Sequence, residues 1–572
     1  MKWFLSYLQP LKMRICLGLF LKITGTVAEL FIPFILTHIL ENVIVERDVN
    51  QILFYGGIMA VCALIACVGN ITANRMAAKV TMTFALAMRR DLFAKTLLLS
   101  ARVTDRFTIP SLESRLTSDT YNVQNFVNML QRIGIRAPML LLGGIAITLI
   151  LDSALALVMI ATIPFVFAIV YGISRHSVPL YSGVQKSVDN MVRVVREDAQ
   201  GIRVIKALSK NDYENRRYDT VNRALCKAET HAGMIAGIAN PVMTMLMNLG
   251  IAGVVAVSAF LTARGQSSAA AVIAFMQYFT LISMAMMGLS RMFVMYTKCA
   301  ASAKRISEVM EAENELKQVE DDGKGDASVH IAFEDVSFSY FGKKKNLENI
   351  SVSLKKGERL GIIGATGSGK STLIKLLLRF YDADQGSIRI NGKDIRSYSR
   401  EDLTRMFGVV LQNDFIYADT ITENICFGRE ISEEEKIRAA KIAQAHDFIT
   451  AIPDGYEHQL SSKGTNLSGG QRQRLLIARA IAGNPEILIL DDSSSALDYK
   501  TDANLRRALA EELSSVTVIT VAQRVSSVKD CDQILVISDG VITGRGTHEQ
   551  LLASCEEYQE ISQSQMGGAF LD

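Results

Sequence analysis

Long apolar stretches, each able to cross a lipid bilayer as a helix, are concentrated in the first 300 residues of this chain. A bilayer core requires about 20 apolar residues per helix. Because lipid offers no partners to free backbone N–H and C=O groups, each stretch is expected to be helical. Six stretches reach this length, near residues 15–40, 52–72, 129–151, 153–175, 236–261 and 270–296. The first half of the chain is therefore predicted to be an all-α transmembrane domain of six helices.

The composition agrees with a membrane domain joined to a soluble one. Of the 572 residues, 49% are hydrophobic and only 21% are charged, a balance that is uncommon in soluble proteins. This length also favours more than one domain. A net charge of +3, with no long run of Lys and Arg, provides no basic surface. We therefore exclude a nucleic-acid partner.

Basic residues set the orientation of the predicted helices, since Lys and Arg are retained on the cytoplasmic side. Residues 73–125 carry eight of them and residues 176–235 carry ten, whereas the three short loops carry two. Both long loops are therefore predicted to be cytoplasmic and helical, with the N-terminus and the second half of the chain on the same side. The expected location is the cell (plasma or inner) membrane, as a multi-pass protein in contact with membrane lipid.

The pattern of the sequence changes after residue 310. Residues 311–328 are polar and acidic without an apolar period, which is typical of a linker. Beyond them, strand-like and helix-like runs alternate, as expected for an α/β fold. We therefore predict a transmembrane domain at 1–310, a linker at 311–328 and an α/β domain at 329–572.

A phosphate-binding loop lies in the α/β domain between an apolar strand and a helix. Its glycines allow backbone N–H groups to face phosphate oxygens at the helix N-terminus, while a lysine neutralises charge and a hydroxyl reaches Mg²⁺. The residues predicted to bind the nucleotide here are Gly364, Thr366, Gly367, Ser368, Gly369, Lys370, Ser371 and Thr372. Further along, EILILDD places Asp491 at the end of a strand, where its carboxylate can hold Mg²⁺. The predicted ligands are ATP and Mg²⁺.

A second anion site is predicted at LSGGQ, between these two motifs. Ser468 and Gln471 have capping-box spacing at the start of a helix, and Gly469 and Gly470 allow a phosphate to approach closely. One nucleotide bound to one compact domain has no use for both sites.

With LSGGQ ahead of the strand that ends at Asp491, the chain resembles ATP-binding cassette (ABC) transporters over nearly its whole length. Six spans followed by one cassette are similar to the half-transporters of the exporter branch, with the type IV exporter fold. The resemblance implies that two cassettes pair head to tail, with each ATP between one chain's phosphate loop and the other's LSGGQ. It also implies that Tyr340 stacks on adenine and that Gln412 contacts Mg²⁺ together with Ser371 and Asp491. By position, segments 101–110 and 208–218 match coupling helices.

Two residues depart from the family pattern where the γ-phosphate is expected. The family carries a glutamate after the Walker B aspartate, the base that orients the attacking water, and this chain has Asp492. The family's histidine is replaced by Gln523, which cannot become a cation. The paired change resembles the degenerate-site subunit of heterodimeric bacterial multidrug-type ABC exporters. We therefore expect this site to bind Mg-ATP and hydrolyse it slowly, while LSGGQ completes the site of a different partner subunit. A homodimer with two slow sites is the alternative.

Candidate residues for the substrate pathway come from polar side chains inside the spans. Charges are costly in lipid, so Lys22 and Glu29, seven apart on one helix face, are expected to face inward, and Gln277 lies in the last span. Snorkelling of Lys22 and packing of Glu29 against a neighbouring helix are the structural alternatives. The last two spans also contain Met243, Met245, Met247, Met276, Met284, Met286 and Met287.

Flexible thioethers suit a cavity for varied apolar molecules, although methionine also fills ordinary cores. We favour export of amphipathic or drug-like small molecules. Lipid, peptide or siderophore-type cargo remains open, as does a channel or regulator gated by ATP that does not pump.

Overall fold

The computed structural model describes residues 2–263, 269–313, 316, 318–323, 325–340, 342, 345–493 and 495–566. The chain divides into two compact units, Met1–Leu97 with Ile109–Ala312, and Leu98–Thr108 with Glu313–Asp572. The boundary at Ala312 lies next to the start of the predicted linker. The segment Leu98–Thr108, which we predicted within the domain at 1–310, belongs to the second unit.

The regular secondary structure of the first unit is helical within its described residues. The helices of this part of the chain are α1 (Lys2–Leu8), α2 (Lys12–His38), α3 (Ile44–Glu46), α4 (Val49–Leu98), α5 (Ala101–Phe107), α6 (Ile109–Ser114), α7 (Thr120–Arg132), α8 (Arg136–Leu151), α9 (Ser153–Ala207), α10 (Asn211–Gly237), α11 (Ala239–Ala263) and α12 (Ala269–Met310). Of these, α5 belongs to the second unit. Short π-helical segments occupy Ile39–Val43 and Arg115–Asp119.

Five helical segments among the described residues are long and apolar enough to cross a membrane. They are Trp3–Glu46, Val49–Leu98, Ile109–Leu151, Asn211–Leu261 and Ala270–Met310. They overlap the predicted first, second, third, fifth and sixth spans. The predicted fourth span overlaps a shorter apolar stretch, Ser153–Ile169, at the start of α9. Five of the six spans are thus confirmed by length and composition, and the fourth stays a prediction.

The two basic loops are helical, as predicted, because α4 and α9 run for 50 and 55 residues. The segment 101–110 contains the short helix α5, capped by the Ser100 hydroxyl, which accepts a hydrogen bond from the Val103 backbone N–H. The segment 208–218 is not a separate helix. A turn at 208–210 joins α9 directly to α10.

The interior of the first unit forms where α12 packs against α2, α7 and α8, and where α9 packs against α10 and α11. Met243 and Met286 are buried in this core, and Met247 and Met287 pack against it. For these four residues, the structure therefore supports the alternative that methionine fills an ordinary core. The other three, Met245, Met276 and Met284, are exposed on this chain.

The second unit contains two sheets. Its strands are β1 (Ile331–Phe338), β2 (Leu347–Leu354), β3 (Arg359–Ile363), β4 (Gln385–Ile390), β5 (Lys393–Asp394), β6 (Phe407–Val410), β7 (Ile487–Asp491), β8 (Thr517–Val521), β9 (Gln533–Ser538) and β10 (Val541–Gly546). One sheet is antiparallel with the order β2-β1-β4-β5. The other has the order β10-β9-β3-β8-β7-β6 and is parallel except for β10.

Helices cover these sheets and complete three apolar cores among the described residues. They are α13 (Lys370–Leu377), α14 (Arg400–Arg405), α15 (Ile421–Cys426), α16 (Glu433–Ile442), α17 (His446–Ala451), α18 (Gly469–Ile481), α19 (Tyr499–Glu512), α20 (Val525–Val528), α21 (His548–Ser554) and α22 (Glu556–Met566). One core includes β1, β3 and α13, a second includes α15, α16 and α18, and a third includes β9, α20 and α21. This is the predicted α/β arrangement.

The order of the parallel strands positions the site. Because β3, β8 and β7 are neighbours, their carboxyl ends meet at one edge of the sheet, where α/β proteins bind ligands. The phosphate loop follows β3, Gln523 follows β8, and Asp491 ends β7.

The predicted linker is attached to the cassette where it is described. The backbone N–H of Val319 donates to the Arg396 carbonyl at 3.0 Å. Arg389 donates to both carboxylate oxygens of Asp322 at 2.7 and 2.8 Å. This polar segment therefore folds onto the second unit.

Candidate functional site

The phosphate loop connects β3 to α13 through Gly364, Thr366, Gly367, Ser368 and Gly369. Gly369 caps α13 with φ of +111°, in the left-handed region that favours glycine. A Cβ at this position would lie 2.9 Å from the Asn346 carbonyl oxygen and 2.8 Å from Leu347 Cδ2. The close packing of this turn thus requires glycine, and it directs the helix N-terminus at the cleft.

Lys370 is only 8% exposed, and its Nζ donates to the carbonyl oxygens of Gly364 at 2.9 Å and Ala365 at 2.7 Å. Burial lowers the pKa of Lys370, opposed by the nearby carboxylates of Asp491 and Asp492. The Ser368 hydroxyl is buried and has no hydrogen-bond partner among the described residues. A buried ammonium and an orphaned hydroxyl in one loop fit a phosphate group, which would supply acceptors to both.

The donors that face the predicted Mg²⁺ are all oxygens. Burial raises the pKa of Asp491, and its hydrogen bond with the Ser371 side chain opposes this rise. Gln412 lines the same cleft as Ser371 and Asp491. Hydroxyl, carboxylate and amide oxygens are the donor set that Mg²⁺ prefers, so these residues fit the ion.

One cleft of about 280 Å³ collects most of the predicted site. Its lining includes Thr366, Gly367, Gly369, Lys370, Ser371, Thr372, Gln412, Asp491, Asp492 and Gln523. Asn346, Val521 and Ala522 complete it. The two departures from the family pattern, Asp492 and Gln523, therefore face the same space as the phosphate-loop lysine.

Tyr340 lies beside this cleft. Its hydroxyl is 3.4 Å from Thr372 Oγ1, and its backbone N–H donates to Asn346 Oδ1 at 3.1 Å. Lys375 Nζ lies 5.6 Å from the ring centroid. The ring is half-buried at the first turn of α13, next to two residues of the lining, so an aromatic platform is available at the edge of the cleft.

A second tyrosine supports this platform. Tyr381 meets Tyr340 edge-on, with ring centroids 5.1 Å apart, and donates its hydroxyl to Asp105 Oδ2 at 2.5 Å. Burial, together with this hydrogen bond and the Asp105 charge, raises the pKa of Tyr381. Through Asp105, helix α5 contacts the aromatic group at the cleft.

The backbone of Asp492 is fixed from three sides. It has φ of +52°, its N–H donates to the Val521 carbonyl at 2.9 Å, and its carbonyl accepts from Gln473 Nε2 at 3.0 Å and from the Ser495 hydroxyl at 3.1 Å. Burial raises the pKa of the Asp492 carboxyl, opposed by Lys370 and Arg524. With the backbone fixed, the reach of this carboxylate is set by its side-chain length.

Gln523 is fixed by the C-terminal helix α22. Gln565 donates to the Gln523 carbonyl at 2.7 Å and accepts from the Val525 backbone N–H at 2.8 Å. Gln523 lines the cleft, and its side chain is a neutral amide, which can donate a hydrogen bond without carrying charge.

The signature residues form the predicted capping box at the start of α18. The Ser468 hydroxyl accepts from the Gln471 N–H at 3.2 Å, and Gln471 Oε1 accepts from the Ser468 N–H at 2.9 Å. Ser468 is exposed, and Gly469 and Gly470 follow it at the helix N-terminus. Ser468–Gln471 are not among the residues lining the cleft. The two predicted anion sites of this chain are therefore separate.

Sequence reasoning did not identify four residues that organise this site. Gln473 connects α18 to the turn after β7, since it also accepts from the Ala496 N–H at 3.1 Å, and Asn346 orients Tyr340. Both lie near recognised motifs, which was the available signal. Asp105 and Tyr381 are 276 residues apart, and no local pattern connects them.

The three candidate pathway residues lie in the first unit on two helices. On α2, Lys22 is 3% exposed and donates to Asn74 Oδ1 at 3.2 Å, which disfavours snorkelling. Glu29 binds Arg136, with 2.7 Å from Nη2 to Oε1. Gln277 is half-buried on α12. Lys22 and Glu29 thus bond to different helices.

Two protein families match separate parts of the chain. Residues 15–286 match the family described as ABC transporter transmembrane region, and residues 347–495 match the family described as ABC transporter. The uncharacterized ABC transporter ATP-binding protein YfiB of Bacillus subtilis is 34% identical, over 98% of each chain. The chain belongs to the ABC transporter family. It is a multi-pass membrane protein whose cassette is an ABC transporter ATPase domain.

Two further relatives extend the comparison. The fatty acid ABC transporter ATP-binding/permease protein of Mycobacterium bovis is 31% identical, over 79% of this chain and 72% of that protein. A solved bacterial Atm1-family ABC exporter with ATP bound superposes with a TM-score of 0.82 at 24% identity, covering 97% of this chain and 99% of that one. This likeness establishes the fold, a helical transmembrane domain fused to an ABC cassette.

Proposed function

We propose that this transporter is one subunit of an ATP-driven exporter that pairs with a different, similar subunit. In this proposal its own cleft binds Mg-ATP and hydrolyses it slowly, while its Ser468–Gln471 segment completes the hydrolytic site of the partner. The observation that carries the proposal is that Asp492 and Gln523 line the same cleft as Lys370. In this proposal, the catalytic base and the residue that contacts the γ-phosphate therefore both depart from the family pattern at the same nucleotide site.

Binding of Mg-ATP is supported by what the cleft retains. Lys370 provides the positive charge, Ser368 provides a buried hydroxyl without a partner, and Ser371 with Asp491 provides oxygen ligands. Mg²⁺, when bound, would neutralise phosphate charge. Hydrolysis also needs a base that positions water against the γ-phosphate, and a carboxylate about 1.5 Å short on a fixed backbone is a poor one.

The segment proposed to complete the partner's site lies at the start of α18. Because Ser468 Oγ accepts the Gln471 N–H, its hydroxyl hydrogen remains available to donate to an anion, beside the positive end of the α18 dipole. Ser468 is exposed and lies outside its own chain's cleft. A phosphate held by a second cassette is the ligand that this arrangement suits.

The test compares two substitutions in the assembled transporter. Asp492→Asn should change turnover little, since this site already lacks a well-placed base. Ser468→Ala should lower turnover by about a hundredfold or more, because it removes a donor from the partner's γ-phosphate. Ser432→Ala is the matched control: Ser432 forms the same capping box with Glu435 on α16, so it reports the loss of a cap alone, about 1 kcal/mol of stability.

A homodimer makes the contrary prediction. Both substitutions would then fall on the same two equivalent sites, and Asp492→Asn would abolish hydrolysis as completely as Ser468→Ala. Co-purification of a second, similar chain with the tagged protein provides an independent test. Isolation of a fully active assembly that contains this chain alone would contradict the heterodimer.

The direction of cargo transport distinguishes an exporter from a channel or regulator that does not pump. In inverted vesicles, ATP should drive uphill accumulation of cargo, and Ser468→Ala, which damages the partner's hydrolytic site, should abolish it. Equilibration without accumulation would favour an ATP-gated channel. The same vesicles test the orientation, since they place the proposed cytoplasmic cassette and N-terminus outside, where added ATP and protease reach them.

The cargo that we propose is an amphipathic or drug-like small molecule. The exposed methionines of α11 and α12 support varied apolar cargo. The name of the mycobacterial relative, a fatty acid ABC transporter, favours a lipid-like amphiphile over a peptide or siderophore. Competition between a fatty acid and cationic dyes in the vesicle assay distinguishes these classes.

A further inference from the structure

A buried positive charge lies inside the first membrane-spanning segment. Lys22 and Glu29 are on one face of α2, about 10 Å apart along the helix axis. Both fall within Trp3–Glu46, a segment apolar enough to cross the membrane. Ionisable groups at such depth are costly and mark ligand or ion pathways unless they are neutralised. The two residues differ in how they are neutralised.

Glu29 is fully compensated. Its two carboxylate oxygens accept from Arg136 Nη2 at 2.7 and 3.0 Å, which joins α2 to the start of α8. This pair carries no net charge.

Lys22 is held by a close contact between α2 and α4. A Cβ on Gly69 would lie 3.0 Å from the Leu21 carbonyl oxygen and 3.3 Å from Gly25 Cα, so the two backbones touch where these glycines meet. This approach places Lys22 against α4, where its Nζ donates to Asn74 Oδ1 at 3.2 Å. Because these glycines leave no side chain between the two helices, the Lys22 ammonium reaches the neutral amide of Asn74.

The Lys22 charge has no counter-ion within the described part of the chain. No described carboxylate lies within 4.0 Å of its Nζ, and an ammonium has two further donors beyond the bond to Asn74. A desolvated cation beside the Asn74 amide, whose nitrogen can donate, is a site that an anion would complete.

We propose that Lys22 and Asn74 bind the anionic head group of an amphiphilic cargo, a carboxylate or a phosphate. This inference rests on the proposed export function and names its substrate class. The ammonium neutralises the head group, the Asn74 amide nitrogen donates a second hydrogen bond, and the apolar tail stays among the apolar helices.

The primary test is equilibrium binding to the full-length chain, in the assembly in which it purifies, in nanodiscs of zwitterionic lipid. The probes share one alkyl chain: decanoate, decyl phosphate, decanol and decyltrimethylammonium. We expect an anion to bind about tenfold or more tightly than decanol, as a hydrogen bond to a charged group implies. The better of the two anions identifies the head group. Equal binding of decanoate, decyl phosphate and decanol would overturn the proposal.

Two variants in this site and two controls locate the binding. Lys22→Met removes the charge and should reduce anion affinity to that of decanol. Asn74→Asp keeps the lysine and supplies an internal counter-ion, so it should have the same effect, whereas a purely structural role for Lys22 would make it harmless. Lys22→Arg should retain binding. Lys12→Met removes an exposed charge from the same helix and should change nothing.

The failure of this inference is distinguishable from that of the proposed function. Uphill transport of uncharged compounds without preference for an anion would overturn the anion site alone. Anion binding that Lys22→Met abolishes, in an assembly that accumulates no cargo, would overturn export and leave the site. If Lys22→Met does not fold, Asn74→Asp decides the outcome.

Discussion

Lengthening the carboxylate at position 492 should accelerate hydrolysis at this chain's own site. Asp492→Glu adds one C–C bond, about 1.5 Å of reach, from a backbone fixed by Val521, Gln473 and Ser495. Misplacement of about 1 Å in a reacting group can cost on the order of a hundredfold in rate. We therefore expect a gain of up to about a hundredfold, larger when Gln523→His restores a group that can carry charge.

The same substitution should lower stability. Asp492 has φ of +52°, and the left-handed conformation costs most side chains about 1–2 kcal/mol, with Asp and Asn the usual exceptions. Asp492→Glu should thus lower the cassette's melting temperature by a few degrees, about 2–4 °C per kcal/mol for a domain of this size. Asp492→Asn is the matched control, because it tolerates this backbone and removes the carboxylate.

The assay is single-turnover hydrolysis of γ-labelled ATP in the assembled transporter, with the partner's phosphate-loop lysine replaced so that only this chain's cleft reports. Wild type should turn over slowly, Asp492→Asn no faster, and Asp492→Glu with Gln523→His fastest. Rapid hydrolysis by the wild type would refute the claim that the short side chain of Asp492 limits the rate. The claim would also fail if Asp492→Glu lowered the melting temperature and left the hydrolysis rate unchanged.

Two further predictions concern the aromatic group at the cleft. Tyr340→Ala should weaken ATP binding by about 0.5–1.5 kcal/mol, measured with a fluorescent nucleotide, because it removes the ring beside Thr372; unchanged affinity would exclude an adenine contact. Tyr381→Phe removes the hydrogen bond to Asp105 and should increase hydrogen exchange across α5 by about fivefold, since a bond to a half-exposed carboxylate is worth about 1 kcal/mol. Asp105→Ala removes the acceptor and should give the same increase, and protection in α5 that neither variant changes would show that the bond does not hold the helix.

Features that depend on a few consecutive residues could be predicted from the sequence. The phosphate loop requires glycines at set spacing and a helix immediately after it, and the Ser468–Gln471 capping box is closed by residues three apart. Span lengths follow from the thickness of a bilayer. The α/β character of 329–572 and five of the spans were predictable for this reason, because short-range backbone geometry and solvent preference are written in adjacent residues.

Features that depend on packing were decided by the tertiary structure. Lys22 and Asn74 are 52 residues apart and Glu29 and Arg136 are 107 apart. Sequence placed both charges on one face of α2 without identifying either partner.

The same holds in the cassette. The sequence shows a short carboxylate at 492, but its fixed backbone depends on β8 and on Gln473 of α18. The assignment of Leu98–Thr108 to the second unit depends on contacts such as that of Asp105 with Tyr381. Residue type and spacing determined which chemistry this chain carries. Its long-range partners depend on which elements become neighbours when the apolar surfaces are buried, and that choice is a property of the whole fold.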